Sequence, residues 1–318
     1  MSTVFIDESE AVISLDNNAI VVHKEGEKVG MIPLLPLERL IIIGNVDIST
    51  GLIRRLMVNG TTTIFLSGRS LSLSGIIYGH RQNDARRRVC QIRAMNNEEG
   101  TRFINEIISK KLSGYVSNIK HMITKSDFYE SYFVNKINTI QNAIDRLKGM
   151  IPDRDVIMGI EGSSTSAYFD MLKEFFDKSL GFNGRNRRPP EDPVNSMLSL
   201  VYTTLHYEIV RELEMAGLDP FIGYLHSIEN GRESLACDFV EIFRPTVDIM
   251  IFDLFRERVL SKDDFYYENG GCYLRKEKRK DIFLINEDFH KKMRTSYRKE
   301  IYFFIRRITG EEVSLSGI

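Results

Sequence analysis

Apolar residues in the first 80 positions occur in short runs with strand-like composition. The runs are TVFI, AVISL, AIVVHK, KVGMI, RLIII, TTTIFL and LSLSGIIY, and turn signals such as DNN, EGE, NG and SGR separate them. Short β-rich runs between turn residues predict strands. One helix is predicted at residues 50–58, with Ser49 or Thr50 as its N-cap. Residues 1–80 are therefore predicted to form a small β domain.

Beyond residue 83 the spacing of apolar residues lengthens to three and four. Val89, Ile92 and Met95 show this spacing, which is typical of helices. Strand signals stop near residues 79–83, where a basic run begins. The pattern predicts an α+β fold, in which an N-terminal β-sheet domain of residues 1–80 is followed by a larger all-helical domain of residues 81–318.

A helix predicted at residues 155–178 carries a carboxylate on its apolar face. Ile157, Glu161, Tyr168 and Leu172 recur on one column of this helix. A buried carboxylate without a partner costs several kcal/mol or shifts its pKa upward. We therefore expect Glu161 to have a partner such as a cation.

The stretch HSIENGRESLACDFVEIFRP at residues 226–245 is a second candidate for site chemistry. It follows a long core helix that is predicted to start after an Asp192 cap and to stop at Gly217. Asn230 and Glu233 resemble a capping box for the next helix, and Pro245 is predicted to end that helix and open another.

Asp238 and Glu241 stand three residues apart on that helix, so their Cβ atoms should lie about 5–6 Å apart. Together with His226 and Glu161 they could converge on one cation, and oxygen ligands with one imidazole suit Mn²⁺ or Mg²⁺. Simpler interpretations stay open: such an acid pair is ordinary on a solvated helix, and His226 and His206 each fit a core histidine.

Net charge, cysteine content and the distribution of apolar residues limit the classes of function that the chain can have. The 318 residues carry 43 basic and 44 acidic side chains, for a net charge of −1, so a polyanion must meet local basic patches. Three cysteines without a CxxC pair suit reduced thiols, and neither a signal peptide nor a membrane-spanning apolar run is visible. We expect a soluble, cytoplasmic protein without a membrane partner.

Basic residues cluster at Arg86 to Arg88, at Arg185, Arg187 and Arg188, and along residues 272–307. The clusters at 185–188 and in the tail contain few acids, which favours contacts with phosphates. Solvated helix faces paired with glutamates are the alternative interpretation.

Three segments together resemble one known family. They read GIEGSSTSAYF, RNRRPPEDPVNSMLSLVYTTL and GYLHSIENGRESLACDFVEIFRP. They are similar to CRISPR-associated protein one, the metal-dependent endonuclease and integrase of spacer acquisition. The resemblance spans nearly the whole chain and implies that Glu161, His226 and Glu241 hold Mg²⁺ or Mn²⁺. Asp238 matches the neighbouring family acid, which completes the catalytic set as a ligand or a water-orienting group.

The resemblance also implies a reaction and partners. The 3′ hydroxyl of a captured DNA fragment would attack a phosphodiester of the CRISPR repeat, and water would attack instead in nuclease activity. The partners implied are double-stranded DNA, a second copy of the chain that pairs through the β domain, and the small CRISPR-associated protein two. Candidate residues for DNA contacts are Arg86, Arg87, Arg185, Arg187, Arg188, Arg232 and Arg244.

Two other function classes compete with this one. In a non-catalytic nucleic-acid scaffold, the acids would pair with Arg232 or Arg244 and the basic surface would bind. A small-molecule phosphohydrolase is disfavoured because the chain has no GxxxxGK[ST] phosphate loop.

Overall fold

The computed structural model describes residues 2–68, 71, 73–79, 84–95, 97–149, 153–186 and 189–310. The chain divides into two compact units, Met1–Asn83 with Asp281–Lys291, and Asp84–Lys280 with Lys292–Ile318. The expected domain boundary after residue 80 falls at residues 80–83, which lie outside the described residues. Residues 281–291 group with the first unit, although the apolar pattern placed them in the helical domain.

The first unit contains two four-stranded sheets and a helix. Its elements are β1 Ser2–Ile6, β2 Ala11–Asp16, β3 Ala19–Lys24, β4 Glu27–Pro33, β5 Leu37–Ile43, β6 Val46–Ile48, α1 Thr50–Val58, β7 Thr62–Leu66 and β8 Leu73–Ile77. One sheet has the order β1-β5-β7-β8, in which only β8 is antiparallel to its neighbour. The other has the order β4-β3-β2-β6, with β6 parallel to β2.

Side-chain alternation in these strands builds one apolar core. In β2, Ala11 and Ile13 are fully buried whereas Val12 between them is exposed, as the period of two requires. β5 lies between β1 and β7 and is buried almost throughout, which explains its continuous apolar run. The predicted helix is confirmed as α1, in which the Ser49 hydroxyl accepts a hydrogen bond from the Leu52 N–H at 3.3 Å.

The second unit is predominantly helical. Its elements are α2 Ala85–Met95, α3 Glu98–Thr124, α4 Glu130–Gly149, α5 Arg154–Leu172, α6 Pro193–Met215, α7 Ser234–Arg256, β9 Phe265–Glu268, β10 Gly271–Leu274 and α8 Lys276–Thr309. Residues 281–291 of α8 belong to the first unit, where Phe283 stacks on Phe5 with ring centroids 4.6 Å apart. The predicted α+β fold class is confirmed, with the short β9–β10 hairpin as an addition that the sequence pattern did not indicate. No helix in the described part of the chain has the length and apolarity needed to cross a membrane.

Two local predictions around α7 are wrong. Glu233 makes no capping hydrogen bond at the start of α7, and its carboxylate instead lies 3.4 Å from His206 Nε2. Pro245 neither ends α7 nor opens a second helix, because α7 continues through it to Arg256. Proline removes one hydrogen bond from a helix, but Pro245 is buried and its carbonyl accepts a hydrogen bond from Asn118 Nδ2 at 2.7 Å. Packing against α3 therefore holds α7 in one piece.

The contact between α3 and α7 gives a test of this packing. A Cβ added at Gly114 of α3 would lie 2.7 Å from Pro245 Cβ, closer than real Cβ contacts. Gly114→Ala is therefore expected to lower the free energy of unfolding by about 1–3 kcal/mol, as measured by urea denaturation.

Gly159→Ala in α5 is the matched control. Its added Cβ would have no heavy atom within 4 Å. Since alanine favours a helix over glycine, this variant should gain up to about 1 kcal/mol. Equal effects of the two substitutions would contradict the close approach of α3 and α7 at Gly114.

Candidate metal centre

Two of the predicted ligands meet at a lysine. Glu161 of α5 and Glu241 of α7 both contact Nζ of Lys111, which lies on α3. The Nζ atom is 2.6 Å from Glu241 Oε2 and in direct hydrogen-bond contact with Glu161 Oε1. The Lys111 side chain has no exposed surface. Three helices that are distant in sequence thus bring two carboxylates to one cation position.

Glu241 lies between two cations. Its Oε1 is 2.8 Å from Arg244 Nη1, while Oε2 faces Lys111. Burial would raise the pKa of Glu241, but the charges of Arg244 and Lys111 outweigh burial and lower that pKa to about 2. Burial also disfavours the charged form of Lys111. The charge of Glu241 is the main effect that outweighs burial, and the pKa of this lysine is raised above its ordinary value. Both groups are therefore ionised at neutral pH.

Asp238 has a different environment from Glu241, although both lie on α7. Its Oδ2 accepts hydrogen bonds from the N–H groups of Tyr224 and Leu225 at 2.6 and 3.0 Å. Its Oδ1 accepts one from the His226 N–H at 2.9 Å and lies 2.7 Å from His226 Nδ1. Both oxygens of this fully buried carboxylate are thus engaged by the segment that carries His226. The arrangement favours a role in orienting His226 over direct ligation.

The contact with Asp238 decides which nitrogen of His226 remains for other chemistry. A neutral imidazole that donates from Nδ1 to a carboxylate presents the lone pair of Nε2. Metal-bound histidines commonly make such a second hydrogen bond, which fixes the ring orientation. His226 therefore has the support that a metal-binding histidine needs.

The four predicted catalytic residues are brought together to different degrees. A cavity of about 690 Å³ is lined by Glu161, His226 and Glu241, among others. Even so, the residues described by the structure contain no group of three His, Cys, Asp or Glu side chains close enough to hold one ion. The position between the two carboxylates is taken by Lys111.

The donor chemistry nevertheless fits a divalent ion. Two carboxylates and an imidazole nitrogen are the ligand types that Mg²⁺ and Mn²⁺ accept. Glu241 Oε2 is buried and has no well-aligned hydrogen bond among the described residues, although it forms an ion pair with Lys111. That oxygen retains lone pairs for another cation.

His206, which was interpreted as a core histidine, is largely buried and also lines the same cavity. Burial would lower its pKa, but hydrogen bonds with Cys237 and Glu233 outweigh burial and raise the pKa to about 9. A protonated His206 forms an ion pair with the Glu233 carboxylate, which lines the same cavity, so the pair adds no net charge to the cavity wall. Its sequence neighbours gave no signal of this role, because Glu233 reaches it from the start of α7.

The arginines predicted to contact DNA differ in their exposure and in the contacts that they make within the protein. Arg86 is largely exposed and lies 3.5 Å from Asp84. Arg87 donates to the Ala216 carbonyl at 2.8 Å, and Arg185 donates to Asn195 Oδ1 at 2.8 Å. The last two are thereby held against their own unit. Arg187 and Arg188 lie outside the described residues.

The other two candidates lie beside the cavity. Arg232 donates to Glu229 Oε1 at 3.1 Å and Arg244 pairs with Glu241, while both side chains line the cavity. They place guanidinium groups next to the carboxylates, as a phosphate-binding site would need.

Part of the basic tail is paired inside the helical unit. Arg294 lies 3.4 Å from Glu208, and Arg298 donates to Glu212 at 2.8 Å. These two arginines of α8 thus follow the alternative interpretation, in which tail charges pair with glutamates.

Sequence reasoning missed Lys111 and a buried network behind Arg244. The Arg244 guanidinium lies 5.1 Å from the centre of the Tyr202 ring, and the Tyr202 hydroxyl donates to Asp248. Burial raises the pKa of Asp248 to about 6. A signal for Lys111 existed, since it occupies the same buried face of α3 as Ile104, Ile108 and Tyr115.

Comparison with known proteins points to one family. The family model for CRISPR associated protein Cas1 matches residues 4–286. The CRISPR-associated endonuclease Cas1 1 of Thermodesulfovibrio yellowstonii is 41% identical over 322 residues, covering 100% of both chains. A solved Cas1 structure from Thermotoga maritima has a TM-score of 0.84 at 22% identity and covers 98% of each chain. A casposase bound to its integration product has a TM-score of 0.78 at 17% identity, with 100% of this chain and 96% of the other covered.

Proposed function

Because the chain belongs to the Cas1 family of CRISPR-associated proteins, we propose that it is a divalent-metal-dependent DNA endonuclease and integrase that inserts new spacers into a CRISPR array. The reaction is transesterification: a DNA 3′ hydroxyl attacks a phosphodiester of the repeat, a new phosphodiester joins the fragment to the repeat strand, and the repeat's own 3′ oxygen leaves as a hydroxyl. Attack by water at the same centre gives endonuclease activity.

One observation carries this proposal. Glu161 and Glu241, from separate helices, share one cation position in the wall of a cavity that His226 also lines. This is the donor set that the family resemblance implies for the metal. We assign Glu161, His226 and Glu241 as ligands of Mg²⁺ or Mn²⁺, and Asp238 as the residue that orients His226.

The protein's own groups have distinct tasks in this reaction. A bound divalent ion supplies Lewis-acid polarisation of the phosphoryl oxygen and favours the ionised nucleophile. Asp238 holds the His226 ring through Nδ1. Arg232 and Arg244 offer guanidinium groups to the phosphate from the walls of the same cavity.

The partners follow from the same assignment. We propose that the chain acts on double-stranded DNA, namely the captured fragment and the CRISPR repeat, as a homodimer formed through the β domain and together with the small CRISPR-associated protein two. Arg86, Arg87, Arg185, Arg187 and Arg188 are assigned to backbone contacts with this DNA, and exposed Arg86 is the most accessible of those described.

A non-catalytic DNA scaffold is the second candidate, and a specific observation favours it. Glu241 is paired with both Lys111 and Arg244, so its charge is balanced without a metal ion. Arg232, the other arginine considered for such pairing, contacts Glu229 instead. The scaffold would bind repeat DNA equally well with and without divalent ions and would join no strands.

A strand-transfer assay distinguishes the two candidates. Labelled repeat DNA and a fragment with a free 3′ hydroxyl are incubated with the protein, with and without the small partner, in Mg²⁺, in Mn²⁺ and in a chelator. We expect joined product with either ion and at least about 100-fold less in the chelator, since metal assistance supplies several kcal/mol.

DNA affinity measured in the same buffers is the control. Unchanged affinity in the chelator together with lost product places the ion in the chemistry rather than in binding. Equal product in chelator and in Mn²⁺ would contradict the metal-dependent reaction, and absence of product in every buffer would favour the scaffold.

A further inference from the structure

Lys111 places a buried positive charge where the predicted metal ion would be expected. Its Nζ contacts Glu161 Oε1 and Glu241 Oε2, and it lies 5.5 Å from the centre of the Tyr115 ring. Its side chain has no exposed surface, so water cannot take over the role of these contacts. Removal of the ammonium would leave two neighbouring carboxylates facing each other.

Among the two carboxylates and the two cations that contact them, the charges balance without any added ion. Glu161 and Glu241 contribute two negative charges, while Lys111 and Arg244 contribute two positive ones. A divalent ion that binds the two carboxylates would add positive charge next to the Lys111 ammonium. Because like charges repel strongly in a buried site, the Lys111 ammonium must oppose the binding of that ion.

We propose that Lys111 is an internal counter-ion, which holds Glu161 and Glu241 together when no divalent ion is bound and thereby weakens the affinity of the site for that ion. The affinity part of the inference rests on the proposed metal site, whereas the counter-ion part rests on the contacts of Lys111 alone. Lys111 is thus a positioning residue, which acts through the two carboxylates.

Lys111→Met separates these two effects, because methionine has an unbranched side chain only one atom shorter than lysine and carries no charge. Without metal, it leaves the two acids with the charge of Arg244 but without that of Lys111, and the Tm should fall by about 5–10 °C in a chelator. In a calorimetric titration at pH 8, the variant should bind Mn²⁺ about 10-fold or more tightly than the wild type, since the repelling charge is gone. Saturating Mn²⁺ should then recover most of the lost Tm.

Lys110→Met is the matched control. Lys110 precedes Lys111 on α3 but pairs with Glu300 at the surface, so the variant loses the same charge outside the cavity. Its Mn²⁺ affinity should equal that of the wild type. A tighter Mn²⁺ affinity in Lys110→Met would show that net charge, and not the position of Lys111, controls binding, which overturns the proposal.

The double variant Lys111→Met/Glu161→Gln tests the charge pairing directly. Removing one acid together with the ammonium should restore at least half of the lost Tm in the chelator. If Lys111→Met does not fold, a folded double variant supports the counter-ion role, and failure of both to fold contradicts it.

The outcomes of the two proposals are distinguishable. If the wild type binds no Mn²⁺, the proposed metal site fails, while the Tm values in chelator still decide the counter-ion role. If the wild type binds Mn²⁺ and Lys111→Met binds it equally or more weakly, the metal site stands and the inference about Lys111 is wrong.

Discussion

Glu161→Gln should reduce metal-dependent strand transfer by about 10²–10³-fold, because it removes one carboxylate from the donor set that would hold the ion. The substitution preserves the size of the side chain, and Glu161 is only partly buried, so the fold should persist. The initial rate of product formation with labelled repeat DNA in Mn²⁺ measures the effect. Circular dichroism and Tm in a chelator check the fold.

The matched control for this variant is Asp155→Asn. Asp155 is an exposed acid on the same helix, outside the cavity lining. Its removal should leave the rate of strand transfer within about 2-fold of the wild type, since exposed charges on helices interact weakly. A Glu161→Gln protein that is folded and fully active would contradict the assignment of Glu161 as a ligand.

Asp238→Ala should lower the free energy of unfolding by about 3–5 kcal/mol, because it leaves several buried backbone N–H groups without an acceptor. The N–H groups of Tyr224, Leu225 and His226 all donate to this carboxylate. Urea denaturation in a chelator measures the loss without any contribution from bound metal. A loss of this size would show that Asp238 stabilises the segment before α7.

Asp253→Ala provides the comparison for Asp238. Asp253 also lies on α7, but its carboxylate is partly exposed and lies 3.4 Å from Lys125 Nζ. Such a surface pair contributes at most about 1 kcal/mol. If Asp238→Ala were no more destabilising than Asp253→Ala, the backbone hydrogen bonds to Asp238 would be unimportant and direct ligation would become the better assignment.

Local sequence determined much of the fold. Short apolar runs between turn residues predicted the strands, because both signals come from neighbouring residues. The first residues of two helices were also predicted correctly from the sequence. Ser49 caps α1, and Asp192 caps α6 with Pro193 in its first turn. The capping atoms lie only two or three residues from the groups that they satisfy.

Predictions failed where a distant segment changed the local preference. Pro245 is a strong helix-ending signal, yet the close approach of Gly114 and the hydrogen bond from Asn118 keep α7 continuous. Glu233 has the spacing of a capping box, yet its carboxylate lies beside His206 of α6. Tertiary packing overrode the local signal in both cases.

The residues around the proposed metal centre also depend partly on local sequence and partly on tertiary packing. The helical period places Asp238 and Glu241 on one face of α7, and the family resemblance makes Glu161, His226 and Glu241 the predicted ligands. Helical spacing alone left the two acids of α7 equivalent. Their different surroundings depend on which segments pack against them: the backbone before His226 engages Asp238, whereas Lys111 and Arg244 engage Glu241.

By itself, then, the sequence determined the α+β class, the order of its two parts and the candidate donors, since these depend on periodicity and on motifs of neighbouring residues. Only the tertiary structure decided that Lys111 lies between Glu161 and Glu241. Contacts between residues so far apart in sequence arise from the packing of three helices, and the order of residues within each helix does not encode which partner a buried charge will meet.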